Sequence, residues 1–438
     1  MAPAQAPAIT AIHVARPERA ARHEIRQFTS ARLVEFPNIL ERLCEMKTKL
    51  LYPLMFLCLV FYTSCGGGTS TPSPTPTPTP SSTCSNPSPG TPPAGSELFY
   101  LGDNAGCIYG YGLDPTSGNL TPIAINSMSA KANVRLAADS GGQVLYSSEA
   151  ALNVPNVSSW IVNKHTGTLT ANPAVQLSAP PGKLVPFSTY LYAIADPYAN
   201  AKAATMWVFK INPLNGALSL LSDHTTKLPG VPFGMAIDPT GSFLFVLWDG
   251  VPGGKISTLS RNPTTGQVTV LSPPVDTGGL APAAVAVTAD GNFVVVLHQK
   301  SNNLAVFSLD HSTGALTAVP GSPFASGPQP GAMTIDPSGK FVLVADSGND
   351  NLTPYAIDSA GSLTAGTPVF LGEANSQPSA IAVDPAGKFV FVGIFNQKIA
   401  GFTLDPSTGS LKPMPGSPFS GSPQFVTNDM VFVPGVTQ

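Results

Sequence analysis

Residues 380–411 read "AIAVDPAGKFVFVGIFNQKIAGFTLDPSTGSL", and the same phrasing returns as "AMTIDPSGKFVLV" at 332–344 and "GMAIDPTGSFLFV" at 234–246. Each copy resolves into short pieces with a clear local chemistry. "AIAV" is an apolar strand of small residues. "DPAG" puts Asp at i, Pro at i+1 and Gly at i+3, the preferences of a type I turn. "KFVFV" is a β-branched and aromatic second strand. After a variable polar loop, "IAGFTLD" alternates with period two as a third strand. A Thr-Gly turn then leads into a poorer fourth strand, "SLKPM". Four antiparallel strands in a unit of this length make one blade of a β-propeller.

The Thr-Gly turn counts the blades. Its glycines are Gly118, Gly167, Gly216, Gly266, Gly314, Gly361 and Gly409, spaced by 49, 49, 50, 48, 47 and 48 residues. The expected fold is therefore all-β, a seven-bladed propeller of four-stranded antiparallel blades, with no helical period after residue 96. The first repeat starts directly at its second strand, "ELFYLGD" (97–103), while the C-terminus keeps a spare first-strand segment within "PQFVTNDMVFVPG". The C-terminal strand is thus expected to complete the N-terminal blade and close the ring, leaving no exposed sheet edge at the seam.

Composition agrees with many short strands and turns. The 438 residues are 43% hydrophobic and only 11% charged, with 41 Gly and 46 Pro. Net charge is −3, but residues 1–49 carry eight Lys/Arg against five Asp/Glu, and residues 66–438 carry fourteen against twenty. An acidic domain with no basic stripe argues against nucleic acid as a partner.

Four segments are expected. Residues 97–438 form the propeller and 66–96 a Pro/Thr/Ser-rich linker of extended polyproline type. Residues 46–65, "MKTKLLYPLMFLCLVFYTSC", combine two lysines, an apolar run and a small-residue boundary, the pattern of an export signal. The ending "YTSC" before "GGG" resembles a bacterial lipoprotein lipobox, with Tyr62 where Leu is usual. That resemblance implies lipidation at Cys65 and an exported, membrane-tethered chain at the cell envelope. Residues 1–45 are either a non-native upstream extension or a long n-region. Cys84 and Cys107 either pair or remain thiols.

The repeat phrase, over residues 97–438, resembles the lactonase-type seven-bladed propellers, the group of 6-phosphogluconolactonases and muconate-lactonising enzymes. The resemblance implies lactone hydrolysis. It also implies a Gly-Pro-Arg-His stretch leading into a first strand and an Asn-Glu pair ending a second strand, and neither is present here. A fold of this kind hosts many functions, so activity must be argued from the site.

Loops after second strands and before first strands share one face around the channel mouth. Candidates there are Asp103, Asn104, Glu149, Asp196, Trp248, Asp249, His298, Gln299, Lys300, Asp346, Asn349, Asp350, Asn396 and Gln397, with Phe233, Gln329 and Gln377 on the inlets. His298 reads as a general base with Asp249 or Asp346 beside it, or as a solvated loop histidine. Trp248 would stack on a ring or plug a gap between blades. Gln299, Lys300, Asn349 and Asn396 are ligand-binding candidates. "DSGND" (346–350) suits a hard cation such as Ca²⁺ or is a plain polar turn, and no metal site is assigned. Asp238, Asp336 and Asp384 are turn-makers on the opposite face. Two functions stay open: lactone hydrolysis, and a non-catalytic propeller that binds a small ligand, glycan or protein partner.

Overall fold

The computed structural model describes Cys84 and residues 90–433, apart from 128–132, 152–153, 199–203, 251–252, 272, 396–397 and 421–426. The upstream extension, the export signal with Cys65, most of the linker and Asn396 lie outside the described residues.

Seven antiparallel sheets are present, one for each Thr-Gly turn. Their innermost strands, from blade 1 to blade 7, are Thr427–Val433, Val134–Ala138, Pro181–Phe187, Pro232–Ile237, Pro282–Val287, Pro330–Ile335 and Ala380–Val383. Each meets the next around the ring, and the strand of blade 7 meets that of blade 1. Closure is as expected: Thr427–Val433 pairs with Glu97–Asp103, with Phe99 opposite Phe432 and Leu101 opposite Met430. The rings of Phe99 and Phe432 stack at 4.7 Å, and Phe391 of blade 7 lies 5.4 Å from Phe99. The seam is thus part of a continuous aromatic core.

One detail departs from four plain strands. In blades 2 to 7 the outermost strand is split: Leu411–Pro413 pairs with Phe402–Leu404, and Phe419–Ser420 returns to the same third strand at Lys398–Ile399. The intervening "MPGSP" carries two prolines, which cannot donate to a ladder, so the edge is broken there.

The turn glycines explain the period. All seven have φ between +67° and +82°, a region that disfavours a side chain. Each also lies against the preceding blade: Gly409 on Phe341, Gly361 on Phe293, Gly314 on Phe243, Gly266 on Tyr190, Gly216 on Val144, Gly167 on Leu98, and Gly118 back on Phe389 of blade 7. The repeated Gly is therefore an interblade contact as well as a turn.

The Asp residues of the "DPxG" turns are consumed by backbone. Asp336 Oδ1 accepts from Phe341 N at 2.7 Å and Oδ2 from Ser338 N at 3.0 Å. Asp238 does the same with Phe243 and Thr240, and both carboxylates are buried. Cys84 and Cys107 are joined as a disulfide, tying the linker to the third strand of blade 1, Cys107–Leu113.

Candidate functional site

All seven innermost strands converge on one cavity of about 410 Å³ at the channel mouth. Their register is fixed by the ladder to the second strands, which aligns Met430, Leu136, Leu184, Met235, Val285, Met333 and Ile381. The residue just before each of these lines the cavity. Around the ring it is Asp429, Arg135, Lys183, Gly234, Ala284, Ala332 and Ala380. Charge is thus confined to the sector of blades 1 to 3, and blades 4 to 7 present glycine and alanine.

The charged sector is held together across the closure seam. Lys183 Nζ lies 3.2 Å from Asp429 Oδ2, which also accepts from Leu136 N at 3.3 Å. Arg135, half-buried, donates from Nη1 to the Asn428 carbonyl at 2.5 Å. None of the ion pairs among the described residues uses Arg135. Asn428 Nδ2 reaches Asn133 Oδ1 at 3.2 Å, joining the C-terminal strand to the segment leading into blade 2.

Asp196, at the end of the second strand of blade 3, is buried on the same wall. Its Oδ1 accepts from Tyr198 N at 2.8 Å, and its second oxygen has no hydrogen-bond donor among the described residues. Desolvation raises the pKa of the Tyr198 phenol, with the Arg135 guanidinium opposing the rise and the Asp196 carboxylate adding to it. Its ring packs edge-on against Phe233 with centroids 6.1 Å apart. Burying a carboxylate is costly without compensation, so an Asp196 oxygen turned toward a polar cavity marks a place where a ligand or water is expected.

Nine of the sequence candidates fall into three groups. Asp196, Gln299 and Phe233 line the cavity. Asp249, Lys300 and Asn349 are exposed and do not line it.

Trp248, His298 and Asp346 form the third group, equivalent positions near the ends of the second strands in blades 4, 5 and 6, paired with Pro232, Pro282 and Pro330. Each is roofed by a glycine of the loop into its own first strand, Gly230, Gly279 and Gly327 respectively. Side chains alternate along a strand, so His298 turns under this roof while Gln299, one residue on, reaches the channel.

His298 is fully buried, with Nε2 2.7 Å from Thr277 Oγ1 and Nδ1 without a hydrogen bond. Burial holds its pKa below the ordinary value, against an opposing contribution from Asn303 across the ladder. Asp346 is buried too; desolvation raises its pKa, while the Asn349 N–H it accepts at 3.1 Å acts the other way. Trp248 Nε1 donates to Ser257 Oγ at 3.1 Å inside its own blade. In "DSGND" the Asp350 carboxylate is taken up by Asn375 N, Ser376 N and Ser376 Oγ, all within 2.8 Å. No cluster of three or more metal-ligating side chains occurs among the described residues.

The cations expected only at Lys300 are instead Arg135 and Lys183, and with Asp429 they were missed by motif reading. They come from three strands in different parts of the chain and share no motif. Their signal is visible only when the first strands are aligned on their common apolar residue.

The comparisons with known proteins bear on the fold. The sequence pattern described as "Lactonase, 7-bladed beta-propeller" matches residues 255–328 and 317–428. The match runs from blade 4 through blade 7. Among solved structures, a periplasmic gluconolactonase from Pseudomonas aeruginosa is similar with a TM-score of 0.64 at 20% identity, over 77% of this chain and 99% of its own. A candidate 6-phosphogluconolactonase from Bacteroides fragilis gives 0.65 at 18%, over 80% and 100%. A Lactobacillus plantarum protein gives 0.62 at 19%, over 77% and 100%. At these identities the likeness concerns the fold. No curated protein matches the sequence.

Proposed function

We propose that the lactonase-type propeller hydrolyses lactones in its central channel. The observation that carries this reading is the convergence of Arg135, Lys183 and a part-unsatisfied Asp196 on one wall of a cavity whose opposite first strands present Gly234, Ala284, Ala332 and Ala380. Arg135 spends no donor on a carboxylate, so its guanidinium is available to a lactone carbonyl and to the oxyanion that follows. The free oxygen of Asp196 accepts a proton from water as that water attacks the carbonyl carbon. Collapse of the tetrahedral oxyanion breaks the ring C–O bond, and Asp196 returns the proton to the departing alkoxide. The product is the open hydroxy acid.

Export and tethering through Cys65 belong to the same proposal and rest on the signal pattern of residues 46–65. A Cys65→Ser chain that stays in the membrane fraction would remove that part.

The catalytic part is tested by lactone hydrolysis with the full chain, corrected for spontaneous opening. Asp196→Asn and Arg135→Ala are each expected to lower kcat/KM by about a hundredfold or more, the scale of losing a base or an oxyanion donor. Full activity in Asp196→Asn, with loss in His298→Ala, would move the base to His298. A second reading, binding without turnover, is favoured by the Lys183–Asp429 pair, which already neutralises one cation. Saturable binding of a lactone with no acid release by the parent chain would establish it.

A further inference from the structure

The charge balance of the cavity says more about its occupant, on the basis that the channel is the ligand site proposed above. Four charged side chains line it among the described residues: Arg135, Lys183, Asp196 and Asp429. They sum to zero. Lys183 and Asp429 neutralise each other at 3.2 Å, which leaves one cation, Arg135, and one carboxylate, Asp196, without an ion-pair partner among the described residues. Beside them Tyr198 is 76% exposed, an unusual state for an aromatic ring at a cavity wall, and Phe233 braces it edge-on.

We propose that the channel selects an uncharged, polyhydroxylated ring, a neutral sugar lactone, and rejects the phosphate ester of that ring. A phosphate near −2 would leave water for a half-enclosed space with no surplus positive charge, facing two carboxylates. Specificity here comes from repulsion as much as attraction. A neutral polyol meets no such conflict. Arg135 donates to its ring or carbonyl oxygens, Asp196 accepts from its hydroxyls, and the open face of Tyr198 covers its C–H face. The small side chains of blades 4 to 7 leave room for the ring opposite.

The test is calorimetric binding to the full chain of D-glucono-δ-lactam, a ring that is not hydrolysed, and of its 6-phosphate. The lactam is expected to bind at least about tenfold tighter, a difference of about 1.4 kcal/mol. Asp196→Asn is expected to shift the affinity ratio toward the phosphate, and Asp429→Asn, by freeing Lys183, to shift it further. Neither shift would follow from a merely structural role. Tyr198→Ala is expected to weaken the lactam about fivefold or more with an unchanged melting temperature, since its ring is exposed.

Equal or tighter binding of the phosphate, or no binding of the lactam by a folded chain, overturns the proposal. Turnover is judged apart. A chain that binds the lactam as expected but opens no lactone keeps this inference and ends the catalytic one, and a chain that opens only the phosphorylated lactone does the reverse.

Discussion

His298 and Asp346 occupy the same place in neighbouring blades, yet burial pushes their pKa values in opposite senses, because desolvation disfavours whichever form is charged. The consequences for stability have opposite signs. The His298 pKa in the folded chain lies below its unfolded value of about 6.5, so its contribution is present above that pH and is lost as pH falls through the folded value. The Asp346 pKa is raised above 3.8, so its contribution is present below that pH and is lost as pH rises through the folded value. Denaturation midpoints at pH 7 and pH 4 separate the two. Relative to His298→Gln, the parent is expected to lose stability on going to pH 4, whereas relative to Asp346→Asn it is expected to gain. A parent and variant that track each other across that range would show that the side chain is not desolvated as described. Both residues were chosen from the sequence for their chemistry, and the structure buries both outside the cavity lining. What the sequence did not reveal was the glycine roof, which depends on how closely a preceding loop approaches.

Among the elements, the Thr-Gly hairpins were the most legible, because everything they need is local: a polar residue to cap the turn, a glycine to adopt positive φ, and a fixed distance to the next copy. Gly314 sits at φ +74° with the Phe243 ring 2.7 Å from where a Cβ would stand. Gly416 has φ +78° but only Phe419 at 3.7 Å. Alanine at either strains the backbone by about 1–3 kcal/mol. At Gly314 it must also displace an aromatic ring of the preceding blade, adding about 1–3 kcal/mol of overpacking. Urea unfolding should therefore rank Gly314→Ala well below Gly416→Ala. Equal losses would mean that the repeated glycine serves the turn alone. The first strands were the hardest to read. Their shared signal is one apolar residue and small neighbours, so the exchange of alanine for Arg135, Lys183 and Asp429 in three of seven copies passes as surface variation. Only the ring, which sets the three side by side, turns those exchanges into a site.

At the scale of the molecule, closure and the candidate site share one strand. Thr427–Val433 supplies the inner edge of blade 1, buries Phe432 against Phe99, and brings Asn428 and Asp429 to Arg135 and Lys183. A chain ending at residue 426 would leave Glu97–Asp103 as an open edge with unpaired backbone groups, the condition under which sheets associate. It would also expose Phe99 and Leu101 at the seam. Such a chain is expected to lose its cooperative unfolding transition and to aggregate at concentrations where the parent is monodisperse, as seen by light scattering. The linker disulfide acts on the same blade from the other side. It closes a loop across 23 residues, and removing it with Cys84→Ser is expected to cost about 3 kcal/mol while the ring stays closed. The two variants thus part company: loss of the staple lowers the midpoint of one intact transition, whereas loss of the strand removes the transition itself. A truncated chain that still unfolded in one sharp step would mean that six blades and an incomplete seventh suffice. In that case ligand binding, which needs Asp429 to restrain Lys183, should change its preference between the neutral and phosphorylated rings even though the scaffold survives.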